Sequence, residues 1–184
     1  DQNGGDYFNI ANNHTISTDS KREDLYMVKF KRYLEKYDLD DKPIWITEVQ
    51  YGSLTEKPDN LKELETLMAK STVFSLALGA DKLFYIQNWL NWENGWGDKD
   101  KEDKEDKSPI GSEFEEMAED ILNSSTHKVY LNLVAKVNNF DQVETIKQKY
   151  KENPEEHEGA TSSIGQYKFI NGDNEIYVLW GKAE

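Results

Sequence analysis

The stretch Lys42-Pro43-Ile44-Trp45-Ile46-Thr47-Glu48-Val49-Gln50-Tyr51-Gly52-Ser53 decides how the chain is read. Pro43 to Thr47 form an uninterrupted apolar run after a polar turn at Asp38 to Asp41. A run without polar alternation suits a strand covered on both faces, as in a parallel sheet. Glu48 follows immediately, at the end of that strand. In parallel α/β folds, functional groups gather at the C-terminal ends of strands, where loops are free to vary. Glu48 is therefore the first candidate for chemistry, with Gln50 and Tyr51 beside it.

Outward from this strand, both flanks alternate between strand and helix. Downstream, Asn60-x-x-Glu63 has the form of a capping box, and Leu61, Leu64, Leu67 and Met68 continue at helical spacing to about Leu78. Gly79 stands where a helix C-terminus favours glycine. Lys82 to Gln87 reads as a further strand, carrying Phe84, Tyr85 and Ile86. Upstream, Asp6 to Ala11 reads as a strand behind Gly4-Gly5, followed by a polar loop from Asn12 to Asp19. Ser20-x-x-Glu23 has the capping-box form, and Tyr26, Phe30, Tyr33 and Tyr37 predict a helix over 21–37. The order strand, helix, strand, helix, strand implies right-handed crossovers and a parallel sheet. Three strands are too few to close a barrel.

The C-terminal half changes character. Residues 98–107, DKDKEDKEDK, are a mixed charge run that reads as a solvated loop. They lack the glycine and regular ligand spacing of a calcium loop. Ser112-x-x-Glu115 predicts a helix carrying Phe114, Met117, Ile121 and Leu122. Tyr130, Leu133, Val134 and Val137 mark another. A polar stretch rich in Glu and Lys leads to Gly165. Beyond it, Tyr167 to Ile170 and Glu175 to Trp180 flank Asn171-Gly172 as a β-hairpin. The expected division is 1–140 for the α/β part and 141–184 for a linker and appended strands.

Composition narrows the function. The 184 residues carry a formal net charge of -14, with 32% charged and 12% aromatic residues. An acidic surface repels phosphate backbones, which argues against nucleic acid as a partner. No run is long enough to span a membrane. There is no cysteine, which removes disulfides, thiolate nucleophiles and zinc-thiolate sites together. The sequons at Asn13 and Asn123 are about what chance supplies in so polar a chain. The chain opens without Met and enters an apparent strand almost at once, so a piece of something longer is expected.

The strand ends give a short list of chemical groups. After the first come Asn12, Asn13 and His14. After the third come Asn88, Trp89, Trp92, Glu93 and Trp96. Three indoles within eight residues, just past a strand end, form a platform on which sugar rings can stack, while Asn, Gln and His bind hydroxyls. Trp92 and Trp96 could equally pack beneath the loop, Trp89 less so. His127 and His157 lie in polar stretches and read as surface residues. No metal-ligand spacing links the histidines. There is no G-x-S-x-G, P-loop or dinucleotide glycine pattern, and no cofactor is implied.

These pieces together resemble the C-terminal part of clan-A (β/α)8-barrel retaining glycoside hydrolases, similar to β-xylosidase-related families. KPIWITEVQYGS resembles their seventh strand, GADKLFYIQNW the eighth and DYFNIANNH the sixth. THKVYLNLVAKV resembles the final helix, and GQYKFINGDNEIYVLWG the β-strands that follow the barrel. The resemblance covers nearly the whole chain. It implies a partial TIM barrel of three β/α units with a small appended β element. It also implies retaining hydrolysis of O-glycosidic bonds in an oligo- or polysaccharide, with Glu48 as nucleophile. By the same match His14 helps hold the nucleophile, Tyr51 is an aromatic beside it and Trp89 lies under the first sugar. Asn88, Trp92 and Trp96 complete the implied substrate contacts.

The chain departs from that pattern in three places. Gln50 stands where glycine is usual, and Ile16 where an aromatic often follows the His. No Asn-Glu pair has the context of the acid/base residue: the one at Asn174 does not follow the required strand. A retaining enzyme needs two carboxyl groups about 5–5.5 Å apart. The second is therefore expected on a missing N-terminal barrel portion, in the same or a second chain. Two other readings stand beside this one. One is a non-catalytic relative that binds carbohydrate through Trp89, Trp92 and Trp96. The other is a structural or interaction module.

Overall fold

A computed structural model of the chain describes residues 4–18, 21–51, 60–86, 122–154 and 159–181. Strands β1 (Ala11–Thr18), β2 (Ile44–Tyr51) and β3 (Lys82–Tyr85) pair in that order, both pairings parallel. Helices α1 (Met27–Lys36) and α2 (Leu61–Ala77) connect them. Helix α3 (Ser125–Val137) follows, capped by the Ser124 side chain, which accepts from the His127 N–H. Strands β4 (Gln142–Glu152), β5 (Ala160–Asn171) and β6 (Asn174–Trp180) form a separate antiparallel sheet.

The expected portion of a (β/α)8 barrel is not what the described residues form. They make a mixed α/β fold of two small three-stranded sheets, one parallel and one antiparallel, rather than a run of barrel units with a short appendage. The physical reason lies in how the apolar surface is divided. One core joins the parallel sheet to the helices through Ile44, Ile46, Val49, Met27, Leu34, Leu64 and Met68. A second lies on the other side of α2, where Val73, Phe74 and Leu76 meet Val137 of α3 and Tyr167 and Phe169 of β5. Helix α2 thus faces a sheet on each side, and the antiparallel sheet is an integral half of the fold.

Several elements begin elsewhere than their sequence suggests. Residues Gly4–Tyr7 form a 3-10 turn, with Tyr7 86% exposed, and β1 starts at Ala11, whose N–H donates to the Pro43 carbonyl. The polar run Asn12 to Thr15 is therefore strand and not loop. Its inward polar groups are satisfied locally: the Asn13 side-chain amide donates to the Leu25 carbonyl at 2.6 Å. Helix α1 starts at Met27, not near residue 21, because Leu25 and Tyr26 adopt positive φ of 49° and 63°. Left-handed residues cannot continue a right-handed helix. The stretch read as a polar linker contains β4, which pairs with β5 along its whole length. The hairpin loop is Gly172-Asp173, one residue later than Asn171-Gly172, with Gly172 at φ 55°. The Asn60 cap and the positive-φ Gly79 stand where they were expected.

Glu23 and Asp24 tie the two halves together. The Glu23 carboxylate accepts from the Ser162 N–H at 2.6 Å and from Lys70 Nζ at 2.7 Å. Asp24, fully buried, accepts from the backbone N–H groups of Ala160 at 2.7 Å, Val28 at 3.0 Å and Tyr26 at 3.3 Å. Glu23 is thus not the third residue of a capping box; its carboxylate reaches across to β5. Burial raises the Asp24 pKa, opposed by those backbone donors. Gly159 leaves the space that this contact requires: a Cβ there would lie 2.2 Å from Asp24 Oδ1 and 3.3 Å from the Arg22 Cα.

Two tests follow from this junction. Gly159→Ala should destabilise the protein by about 1–3 kcal/mol in urea unfolding, the usual cost of overpacking a filled site. Asp24→Asn should also lower stability, and by less as pH rises from about 4 to about 7. A raised carboxyl pKa means that the unfolded state ionises first. The Asp24 contribution is then fullest below the unfolded pKa and declines as pH rises through the folded one, a loss that asparagine does not share. Unfolding midpoints at the two pH values read the difference.

Candidate functional site

The site is built by an irregularity in β2. Asn13 pairs with Ile46, but the next residue of β1, His14, pairs with Glu48. On the other side, Ile46 pairs with Leu83 and Val49 with Tyr85, so β2 gains one residue against both neighbours. Thr47 is the extra residue. Bulges of this kind re-aim side chains and are common beside functional sites. Here Ile46 and Val49 both reach the core although they are three positions apart, and Glu48 is released from it.

Glu48 and His14 meet at this point. His14 Nε2 lies 3.3 Å from Glu48 Oε2, with the side chains 49% and 32% exposed. The Thr47 hydroxyl donates to Asn12 Oδ1 at 2.7 Å, which links β1 to the bulge. The His14 N–H donates to Asn13 Oδ1 at 2.9 Å. The result is a partly open carboxylate beside an imidazole in the middle of β1 and β2; Glu48 does not end its strand as expected, because β2 runs on to Tyr51.

The other candidate residues divide. Tyr51 is buried, with its ring against Tyr85 and its hydroxyl 2.5 Å from Ser71 of α2. Burial pushes its phenol up to about 12, against the effect of the Ser71 bond. Tyr51 thus packs in the helix layer. Asn88, Trp89, Trp92 and Trp96 lie outside the described residues, as does Glu93. Gln50 is 1% exposed, and neither atom of its amide has a hydrogen-bond partner among the described residues.

Sequence reasoning missed Trp45, which it placed inside a strand covered on both faces. Trp45 is only partly buried, with Lys82 Nζ 4.4 Å above its ring and Phe84 6.0 Å away between centroids. Phe84 is 46% exposed. The parallel sheet therefore has an aromatic face on the same strands that carry Glu48. The signal available in the sequence was only the alternation of Lys82 and Phe84 with Leu83 and Tyr85. A cavity of about 590 Å³ opens elsewhere, on the α2 and α3 side, and neither His14 nor Glu48 lines it.

Among the described residues, no group of three or more His, Asp or Glu side chains could hold a metal ion, and no helix is long and apolar enough to cross a membrane. Comparison with known proteins finds no matching family model, curated protein or solved structure.

The exposure of the His14–Glu48 pair limits its structural worth, since open ion pairs contribute about 0–1 kcal/mol. His14→Ala should therefore leave the urea unfolding midpoint nearly unchanged. A large drop would mean that His14 serves the fold.

Proposed function

We propose that this chain carries the nucleophile half of a retaining O-glycoside hydrolase site, with Glu48 as nucleophile and His14 as the residue that positions it. The observation that carries this reading is the 3.3 Å contact between His14 and Glu48 at the bulge of the parallel sheet. The resemblance of KPIWITEVQYGS to a nucleophile strand supports it from the sequence side.

In such a reaction a carboxylate oxygen of Glu48 attacks the anomeric carbon while a second carboxyl group protonates the departing oxygen. A glycosyl ester of Glu48 forms. Water, deprotonated by the second group, then attacks the same carbon and frees Glu48. His14, with Nε2 3.3 Å from one oxygen, orients the carboxylate and leaves the other oxygen to react. The second carboxyl group comes from outside the described residues.

A second reading, carbohydrate binding without hydrolysis, draws on the aromatic pair Trp45 and Phe84. Aromatic faces hold sugar C–H surfaces without any carboxylate.

The natural protein, incubated with a panel of 2,4-dinitrophenyl 2-deoxy-2-fluoroglycosides, separates the two. Hydrolysis predicts a covalent adduct that peptide mass spectrometry places on Glu48, and no adduct in Glu48→Gln. His14→Ala should slow labelling by about fivefold, the upper worth of an open ion pair. Active protein labelled at another carboxylate would sink the assignment. Saturable oligosaccharide binding with neither turnover nor labelling would favour the second reading.

A further inference from the structure

The fold does not account for the burial of Gln50. The residue is 1% exposed, and both the nitrogen and the oxygen of its amide are closed off without a hydrogen-bond partner among the described residues. Glutamine is mostly exposed in folded proteins, and a buried amide is nearly always bonded. An amide left unpaired away from water is unfavourable, and an apolar side chain of the same size would fill the space without that cost.

The strand sets the direction of Gln50. Val49 and Tyr51, on either side of it in sequence, line the cavity against the helices. Successive residues of a strand point to opposite faces, so Gln50 stands on the other face of β2. Glu48 stands there too, released from the core by the bulge at Thr47. Two residues along a strand is ~6.6 Å, roughly the span of one sugar ring. Glu48 is the partly open member of this pair and Gln50 the closed one.

The chemistry of the amide limits what can satisfy it. It offers two N–H donors and an oxygen with two lone pairs. A hydroxyl both gives and takes a hydrogen bond, so two neighbouring hydroxyls fill both ends of the amide. A carboxylate or sulfate only accepts and leaves the amide oxygen unpaired. The formal charge of -14 also disfavours an anionic ligand.

We propose that Gln50 is a specificity-determining residue that selects a neutral sugar: when Glu48 attacks the anomeric carbon, the Gln50 amide donates to one hydroxyl of the same ring and accepts from its neighbour. This role rests on the hydrolase reading of Glu48. A sugar without those hydroxyls leaves the buried amide unpaired and is rejected.

The test compares the natural protein with Gln50→Met, which nearly keeps the volume and removes the amide. The probe is the 2,4-dinitrophenyl 2-deoxy-2-fluoroglycoside that labels Glu48 fastest, with analogues of it that each lack one further hydroxyl. Labelling of Glu48 should slow about thirtyfold in Gln50→Met, the combined worth of two hydrogen bonds. The urea unfolding midpoint of the variant should stay the same or rise, because an unpaired amide contributes nothing to the fold. Removal of at least one hydroxyl should slow labelling of the natural protein about fivefold or more and leave Gln50→Met unaffected, the non-additivity of groups in contact. A lowered midpoint, or a variant that does not fold, means that the amide is bonded within the protein and overturns the proposal. So does a natural protein indifferent to every missing hydroxyl, a measurement that needs no variant. Equal labelling of Glu48 in both proteins removes Gln50 from the site and leaves the hydrolase reading standing. No labelling of Glu48 in either ends both.

Discussion

A buried aspartate gripped by backbone N–H groups holds this molecule in its shape. Asp24 lies at the point where the chain leaves β1 and turns into α1, and among the described residues its carboxyl oxygens accept from the backbone N–H groups of Tyr26, Val28 and Ala160. One of these belongs to β5, and the Asp24 N–H in turn donates to the Ala160 carbonyl at 3.3 Å. The reciprocal pair extends the edge of the antiparallel sheet up to the first crossover of the parallel one. Its neighbour Glu23 repeats the arrangement two residues further along β5, with Lys70 of α2 completing the contact. A carboxylate taken out of water is costly unless its lone pairs are filled, and here they are filled by groups that would otherwise be orphaned themselves. The turn through Leu25 and Tyr26, with its positive φ values, is the local strain this arrangement requires.

From that junction the remaining geometry follows. The Leu25 carbonyl, set by the same turn, accepts from Asn13 and so fixes the inward face of β1. With β1 placed, the bulge at Thr47 brings His14 beside Glu48. The candidate site thus depends on the second sheet through a chain of contacts: β5 holds Asp24, Asp24 sets the turn, and the turn orients the strand that presents His14. The helix-side cavity is bounded by the same layers, since α2 lies between the two cores that the junction brings together.

Elements whose cause is local could be read in the sequence. The apolar run of β2, the Asn60 cap, Gly79 and the helical stripe of α3 owe their form to residues within a turn or two of one another. Those whose cause is distant could not. Strand β1 begins later than its sequence suggests, since Asn12 to Thr15 look like loop until the Leu25 carbonyl, twelve residues on, accepts from Asn13. The start of α1 was misplaced because the role of Asp24 is decided by Ala160. Strand β4, mostly polar and exposed, has little strand signal of its own and takes its form from pairing with β5. The barrel expectation failed for the same reason: three β/α units look alike whether the next layer is another unit or an antiparallel sheet. At the site, the residue types of Glu48 and His14 drew attention, but the one-residue bulge that joins them left no mark on the sequence.

The separation between the partners in the Asp24 contact has a consequence for synthesis. Asp24 and Ala160 are 136 residues apart. During translation, α1 and the strands beside it leave the ribosome long before the backbone groups that must receive Asp24. Until then its carboxylate is hydrated and the left-handed turn has nothing to hold it. Contacts of such long range slow folding, because the loop must close before they form. The N-terminal half therefore waits in an incomplete state, and the emergence of β5 is the event that commits it.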